Sequence, residues 1–353
     1  MKTVDLFFAL LRNALWHSRE EMPDKLSEET AVRLLWMAKE QTVQGLLIDV
    51  LIRNNIQLPR EQVFKILGTV QQIQQTNQKL NEELKCFVTL PLEDYVVVKG
   101  QTVAAFYPNP MLRMSGDIDF LVRDYAKAKG VLQKEWNIEL PERLIDKEYS
   151  FEHGGVTYEI HTSLMAFSSR SHRRCWERLM RRPIGTVEVD ATQVPTLEPT
   201  AYAVYVFVHL FFHFIREGVG LRQMCDWAML LHHYREVLDC EELERMLHGL
   251  GIEKAYRAFG CILVDKLGLQ YFPLALNEQD RRWSKMILQD IMQGGNFGRN
   301  ARKKRKSGWQ YKTETFRLTL RNCRRYFRLA PVEMIMIVPR VSWLNVKLLL
   351  NMK

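Results

Sequence analysis

The sequence predicts an α+β protein, in which a small mixed β-sheet lobe is flanked by N-terminal and C-terminal helical regions. Three observations predict this. Residues 1–90 repeat apolar side chains at helical spacing with Gly and Pro nearly absent; short β-branched runs begin after Pro91; helical periodicity returns at Leu197. At 353 residues the chain has room for about two domains. The expected divisions are 1–90 (helical), 91–195 (the α/β lobe), 196–300 (helical) and 301–353 (a basic linker and amphipathic helices).

The elements follow in order. The N-terminal stretch has the pattern of an amphipathic helix, because Asp5 and Arg12 interrupt it and no small-residue cleavage site follows. Ser27 before Glu28 and Glu29 is a helix start, and Arg60 to about Leu90 forms a further long helix. Tyr95-Val96-Val97-Val98 has the texture of a buried strand that stops at Lys99-Gly100, with a short helix expected from Thr102 to Phe106. Ile118 to Val122 is the next strand, followed by a helix from Tyr125 to Gln133. Tyr149–His153 and Val156–His161, parted by Gly154-Gly155, form a hairpin, and Val187–Val189 adds a last strand. Helices are expected at Thr200–Arg216, Arg222–Tyr234, Glu241–Leu247 and Lys254–Leu267.

Composition narrows the function classes. The chain is 47% hydrophobic and 26% charged, with 18 Gly and 12 Pro, as a folded soluble protein should be. The late apolar stretch Val332 to Leu350 is broken by Glu333, Pro339, Arg340, Asn345 and Lys347, so no transmembrane segment is expected. Six cysteines without a CxxC pair argue for reduced thiols, a cytoplasmic setting and no zinc. The net charge of +9 concentrates in Arg302–Lys306 and in Arg321, Arg324, Arg325 and Arg328, which marks either a polyanion contact or a solvated basic face.

The chemistry centres on Ser115-Gly116-Asp117-Ile118-Asp119-Phe120-Leu121-Val122. Residues two apart in a strand share a face, so Asp117 and Asp119 project together, with Cα atoms about 6.5–7 Å apart. Adjacent carboxylates repel unless a cation lies between them, and hard oxygen ligands suit Mg²⁺ or Mn²⁺. Glu159 and His161 share a face of another apolar strand; if the two strands are neighbours, Glu159 completes a three-carboxylate cluster. Two metals about 3.5–4 Å apart would then activate an acceptor hydroxyl and neutralise a triphosphate. Lys99 and Gly100 end the first strand at a helix start whose amides are able to receive phosphate.

With the string Val98-Lys99-Gly100, Tyr107-Pro108, Arg113, Gly116-Asp117-Ile118-Asp119 and Glu159-Ile160-His161, the chain resembles the nucleotidyltransferase superfamily that includes DNA polymerase β. More narrowly it is similar to the bacterial uncharacterised nucleotidyltransferase family. That similarity continues into Gly220-Leu221-Arg222-Gln223, Asp226-Trp227 and Gly294–Gly298, covering most of residues 30–300. The resemblance implies that Asp117, Asp119 and Glu159 hold metal and perform catalysis, with Glu159 orienting or deprotonating the nucleophile. It places Lys99, Gly100, Gln101, Arg113, Gly116, His161, Arg222 and Asp226 on the nucleotide side. Gln101 stands where the superfamily commonly has Gly or Ser.

Each candidate also has a plainer reading. Arg113 either holds triphosphate or braces the loop; His161 supports or packs; His209 and His213, one turn apart in an apolar helix, are core or interface residues; Arg222 and Asp226 either pair along a helix or edge a pocket. Gly294–Gly298 lacks a Walker lysine and is a structural turn. Two functions are expected. One is transfer of a nucleoside monophosphate from a nucleoside triphosphate to an unidentified acceptor hydroxyl; the alternative is a fold without turnover that docks a polyanion through residues 302–328.

Overall fold

The computed structural model describes residues 2–18, 20–144, 148–165, 167, 169–296 and 309–337. The basic run Arg302–Lys306, and Phe297 and Gly298, lie outside the described residues. The chain divides into two compact units: Met1–Leu164 with Arg182–Tyr202, and Met165–Arg181 with Ala203–Lys353.

The first unit opens with helices α1 (Thr3–Trp16), α2 (Glu28–Glu40), α3 (Gln44–Arg53) and α4 (Arg60–Phe87). Ser27 caps α2 by accepting from the Thr30 amide, with Glu28 and Glu29 in the first turn. Strand β1 (Tyr95–Val98) pairs antiparallel with β2 (Asp117–Val122), β2 runs parallel to β4 (Val156–His161), and β4 pairs antiparallel with β3 (Glu148–His153). The order is therefore β1-β2-β4-β3. Helices α5 (Gly100–Ala104) and α6 (Tyr125–Trp136) flank β2 in sequence.

Alternation sorts the sheet into two faces. Tyr95, Val97, Ile118, Phe120, Val122, Tyr158 and Ile160 point into a core closed by Leu80, Leu84 and Phe87 of α4. The opposite face carries Asp117, Asp119, Glu159 and His161. The β3–β4 turn is Gly154-Gly155 with φ of +56° and +67°, as a two-residue hairpin requires. A side chain at Gly154 would run into the Glu83 carboxylate, which binds His153 and the Tyr158 hydroxyl. The last strand is longer than Val187–Val189: β5 (Ile184–Val189) pairs with β6 (Thr192–Leu197) in a separate two-stranded sheet, and the Thr196 hydroxyl donates to the Val97 carbonyl at 2.8 Å.

The second unit is helical: α7 (Arg170–Met180), most of α8 (Pro199–Arg216), α9 (Leu221–His233), α10 (Cys240–Gly249), α11 (Glu253–Asp265), α12 (Glu278–Gly294) and α13 (Trp309–Arg325). Its core is aromatic, with Phe207, Trp227, Tyr256 and Phe259 in edge and tilted contact. Among the described residues no helix is long and apolar enough to cross a membrane.

Candidate active site

The parallel register of β2 and β4 sets Asp119 beside Glu159 and Leu121 beside His161. Asp119 is 2% exposed, and two groups converge on its Oδ1: the Lys99 ammonium at 2.9 Å and His161 Nε2 at 2.9 Å. His161 Nε2 also lies 3.8 Å from Glu159 Oε2, and its Nδ1 lies 3.5 Å from Glu148 of β3. Asp119, Glu159 and His161 each offer a ligand atom within 4.8 Å of the others, the one such group of three among the described residues.

The electrostatics are divided between the two carboxylates. Burial alone pushes the Asp119 carboxyl up, but the charge of Lys99 and the hydrogen bond from His161 hold it well below the usual carboxylate range. At Glu159, burial, then the charges of Asp119 and Asp117, outweigh Lys99 and His161 and push it up to about 7. A strongly ionised carboxylate thus stands beside one that exchanges its proton near neutrality.

Lys99 reaches Asp119 from an unusual backbone, φ +61° and ψ −152°, which costs a non-glycine residue about 1–3 kcal/mol. It is held there by a hydrogen-bonded chain. The Lys99 amide donates to the Tyr202 hydroxyl at 3.0 Å, the Tyr202 and Thr102 hydroxyls bond at 2.6 Å, and Thr102 donates to the Lys99 carbonyl at 2.7 Å. Gly100 follows with φ +48°, and the Asp117 carbonyl oxygen lies 3.2 Å from where its Cβ would stand. The close backbone approach that a glycine permits is therefore made here to β2.

The remaining candidates divide into those near this corner and those elsewhere. Asp117, partly exposed and paired in register with Thr157, sits two residues before Asp119 and outside the close group of three. Gly116 is exposed at the strand entrance. Gln101 is 4% exposed and donates to Asn81 of α4, its Oε1 having no partner among the described residues. Arg113 is 2% exposed, with its guanidinium on the Ser115 hydroxyl at 2.7 Å. Asn77 of α4 holds the same loop through the carbonyls of Met111 and Arg113, at 2.9 and 2.8 Å. Arg222 and Asp226 belong to α9 in the second unit. There the His209 and His213 rings lie 4.3 Å apart, tilted by 47°, and Gly295 (φ +65°) ends α12 as a helix-terminating turn, with Asn296 bound by Gln223.

The sequence profile of the uncharacterised nucleotidyltransferases matches residues 27–267, which includes this corner and most of the chain. The chain belongs to that family. No curated protein matches the nucleotidyltransferase. Among solved structures it is similar to an antigenic nucleotidyltransferase-like protein from Paracoccidioides brasiliensis, at 14% identity, covering 56% of this chain and 92% of that one with a TM-score of 0.29.

Tyr202, Thr102, Asn77 and Glu148 went unread in the sequence. A tyrosine in an apolar helix and a threonine two residues after a glycine carry no signal until the fold brings them together. Glu148 falls one residue before the strand start read at Tyr149.

Proposed function

We propose that this nucleotidyltransferase moves a nucleoside monophosphate from a nucleoside triphosphate to an acceptor hydroxyl, at the corner formed by Asp119, Glu159, His161 and Lys99. The observation that carries the reading is the register of β2 against β4, which sets Asp119 beside Glu159 with His161 and Lys99 on one oxygen. The strands that do this lie within residues 91–195.

The donor set fits a divalent cation, because an ammonium already rests on Asp119 Oδ1 and three ligand atoms lie within 4.8 Å of one another. Asp119, Glu159 and His161 would hold the ion, with Asp117 completing the acidic face; two carboxylates and one imidazole suit Mn²⁺ at least as well as Mg²⁺. Such an ion supplies Lewis-acid polarisation of phosphoryl oxygens. The chain's own residues do the rest. Lys99 lends positive charge beside the phosphates. Glu159 takes the acceptor's hydroxyl proton on a carboxylate oxygen. The acceptor oxygen bonds to the α-phosphorus as the bond from that phosphorus to the bridging oxygen breaks, releasing pyrophosphate.

The test uses each of the four nucleoside triphosphates labelled at the α-phosphate, with Mn²⁺ and a panel of sugars and RNA ends as acceptors. Labelled acceptor and stoichiometric pyrophosphate are expected from wild type, and neither from Asp119→Asn. Equal label transfer by the variant would remove this corner from the chemistry.

A further inference from the structure

A second site lies on the helical unit, far along the chain from the strand carboxylates. Trp283 of α12, Arg324 and Arg325 at the end of α13, and Phe327 and Arg328 just beyond line a concave pocket of about 430 Å³. That volume falls within the range of small-ligand sites. Its floor is fixed. The Tyr326 ring is fully buried behind it, its hydroxyl donates to Asp290 at 2.8 Å, and Arg325 pairs with the same carboxylate at 3.2 Å.

The lining offers two kinds of group. Trp283 is half-buried and Phe327 is 42% exposed, so both leave ring surface open to solvent. Arg324 and Arg328 are exposed, and among the described residues neither pairs with a carboxylate, whereas Arg325 is already neutralised by Asp290. Flat aromatic surface lining one pocket with unneutralised guanidinium groups matches a base and its neighbouring phosphates. An acidic peptide would meet the charges but offer nothing to the rings. A duplex would meet the charges but keep its bases stacked on one another.

We infer that this pocket binds single-stranded nucleic acid, one base lying against Trp283 and Phe327 and the neighbouring phosphates on Arg324 and Arg328. The inference rests on these residues alone and stands apart from the proposed transfer reaction.

The experiment is fluorescence anisotropy of a labelled 12-residue RNA with the full chain across a range of salt. Trp283→Ala is expected to weaken binding about 5- to 150-fold at constant salt while leaving the salt slope unchanged. The exposed pair Arg324→Ala/Arg328→Ala is expected to lower the slope by about 1.4, at roughly 0.7 per phosphate of a single strand. Phe327→Ala, at a solvent-facing ring, repeats the Trp283 result with less risk to folding, and an oligomer abasic at its centre should lose affinity as the Trp283 variant does. Asp119→Asn should bind the RNA as wild type does, which separates this site from the transfer reaction. Affinity unchanged in both ring variants, equal binding of duplex, a mononucleotide competing at equal concentration, or binding only to vesicles of anionic phospholipid would each overturn the inference.

Discussion

Lys99 is held in a backbone conformation that β-branched and long side chains seldom adopt, and a buried tyrosine hydroxyl keeps it there. Tyr202→Phe removes the acceptor of the Lys99 amide and a partner of Thr102, so it should lower stability by about 1–3 kcal/mol in urea denaturation. The carboxylates carry a second residue-scale prediction. Glu159 stands at about 7 in the fold, above its unfolded value near 4.5, so the folded chain binds the proton more tightly. Its contribution to stability is full below about pH 4 and is lost as pH rises through 7. In chelator, Glu159→Gln should therefore be more stable than wild type at pH 8, by on the order of 1–3 kcal/mol, and match it at pH 4. A variant no more stable at pH 8 would show that Glu159 is solvated rather than strained by Asp119. Asp119 has the opposite sign: its carboxyl is depressed, so its contribution is present at neutral pH and lost only in strong acid.

At the scale of elements, the site is aimed by packing on the far face of the sheet. Phe120, Tyr158 and Ile160 lock β2 and β4 to α4, and the alternation of the strands turns Asp119 and Glu159 the other way. The β3–β4 hairpin fixes the pairing of β3 with β4. Gly154→Ala combines a positive φ with a Cβ driven into the Glu83 carboxylate, so a loss of about 1–3 kcal/mol is expected by thermal denaturation. Much of this was legible in the sequence. The Asp-x-Asp strand, the Gly-Gly hairpin and the apolar faces all follow from period-two patterning, and the Ser27 cap from its acidic neighbours. What escaped had a physical reason. The β5–β6 hairpin turns on Asp190-Ala191, both with positive φ, where no glycine announces a turn, and Pro195 interrupts the strand pattern of β6. Helix α12 carried a readable signal in Asn277 and Asp280, which cap each other's backbone. The candidate site was legible as residue types and spacing. The convergence of Lys99 and His161 on one oxygen was not, because it depends on a parallel pairing of strand residues 40 apart in sequence and on a strained backbone that no local pattern encodes.

Over the whole molecule, the six cysteines are free, as their spacing predicts, and they differ in exposure. Cys86 faces solvent, whereas Cys225, Cys261 and Cys323 are buried, and burial pushes the Cys261 and Cys323 thiols up to about 11. A thiol reagent should label Cys86 fast in the native protein and those three only on unfolding, read by peptide mass spectrometry. Fast labelling of the three in native protein would mean that the helical unit opens far more readily than its aromatic core implies. The family match spans residues 27–267, and the account of function stands on one corner of that span. The most direct measurement is calorimetric titration of the four nucleoside triphosphates with Mn²⁺ into wild type, Asp119→Asn and Glu159→Gln. Metal-dependent binding of one nucleotide by wild type, reduced at least about tenfold, or about 1.4 kcal/mol, in both variants is the predicted result. Metal-independent binding, or equal affinity in all three proteins, would contradict it.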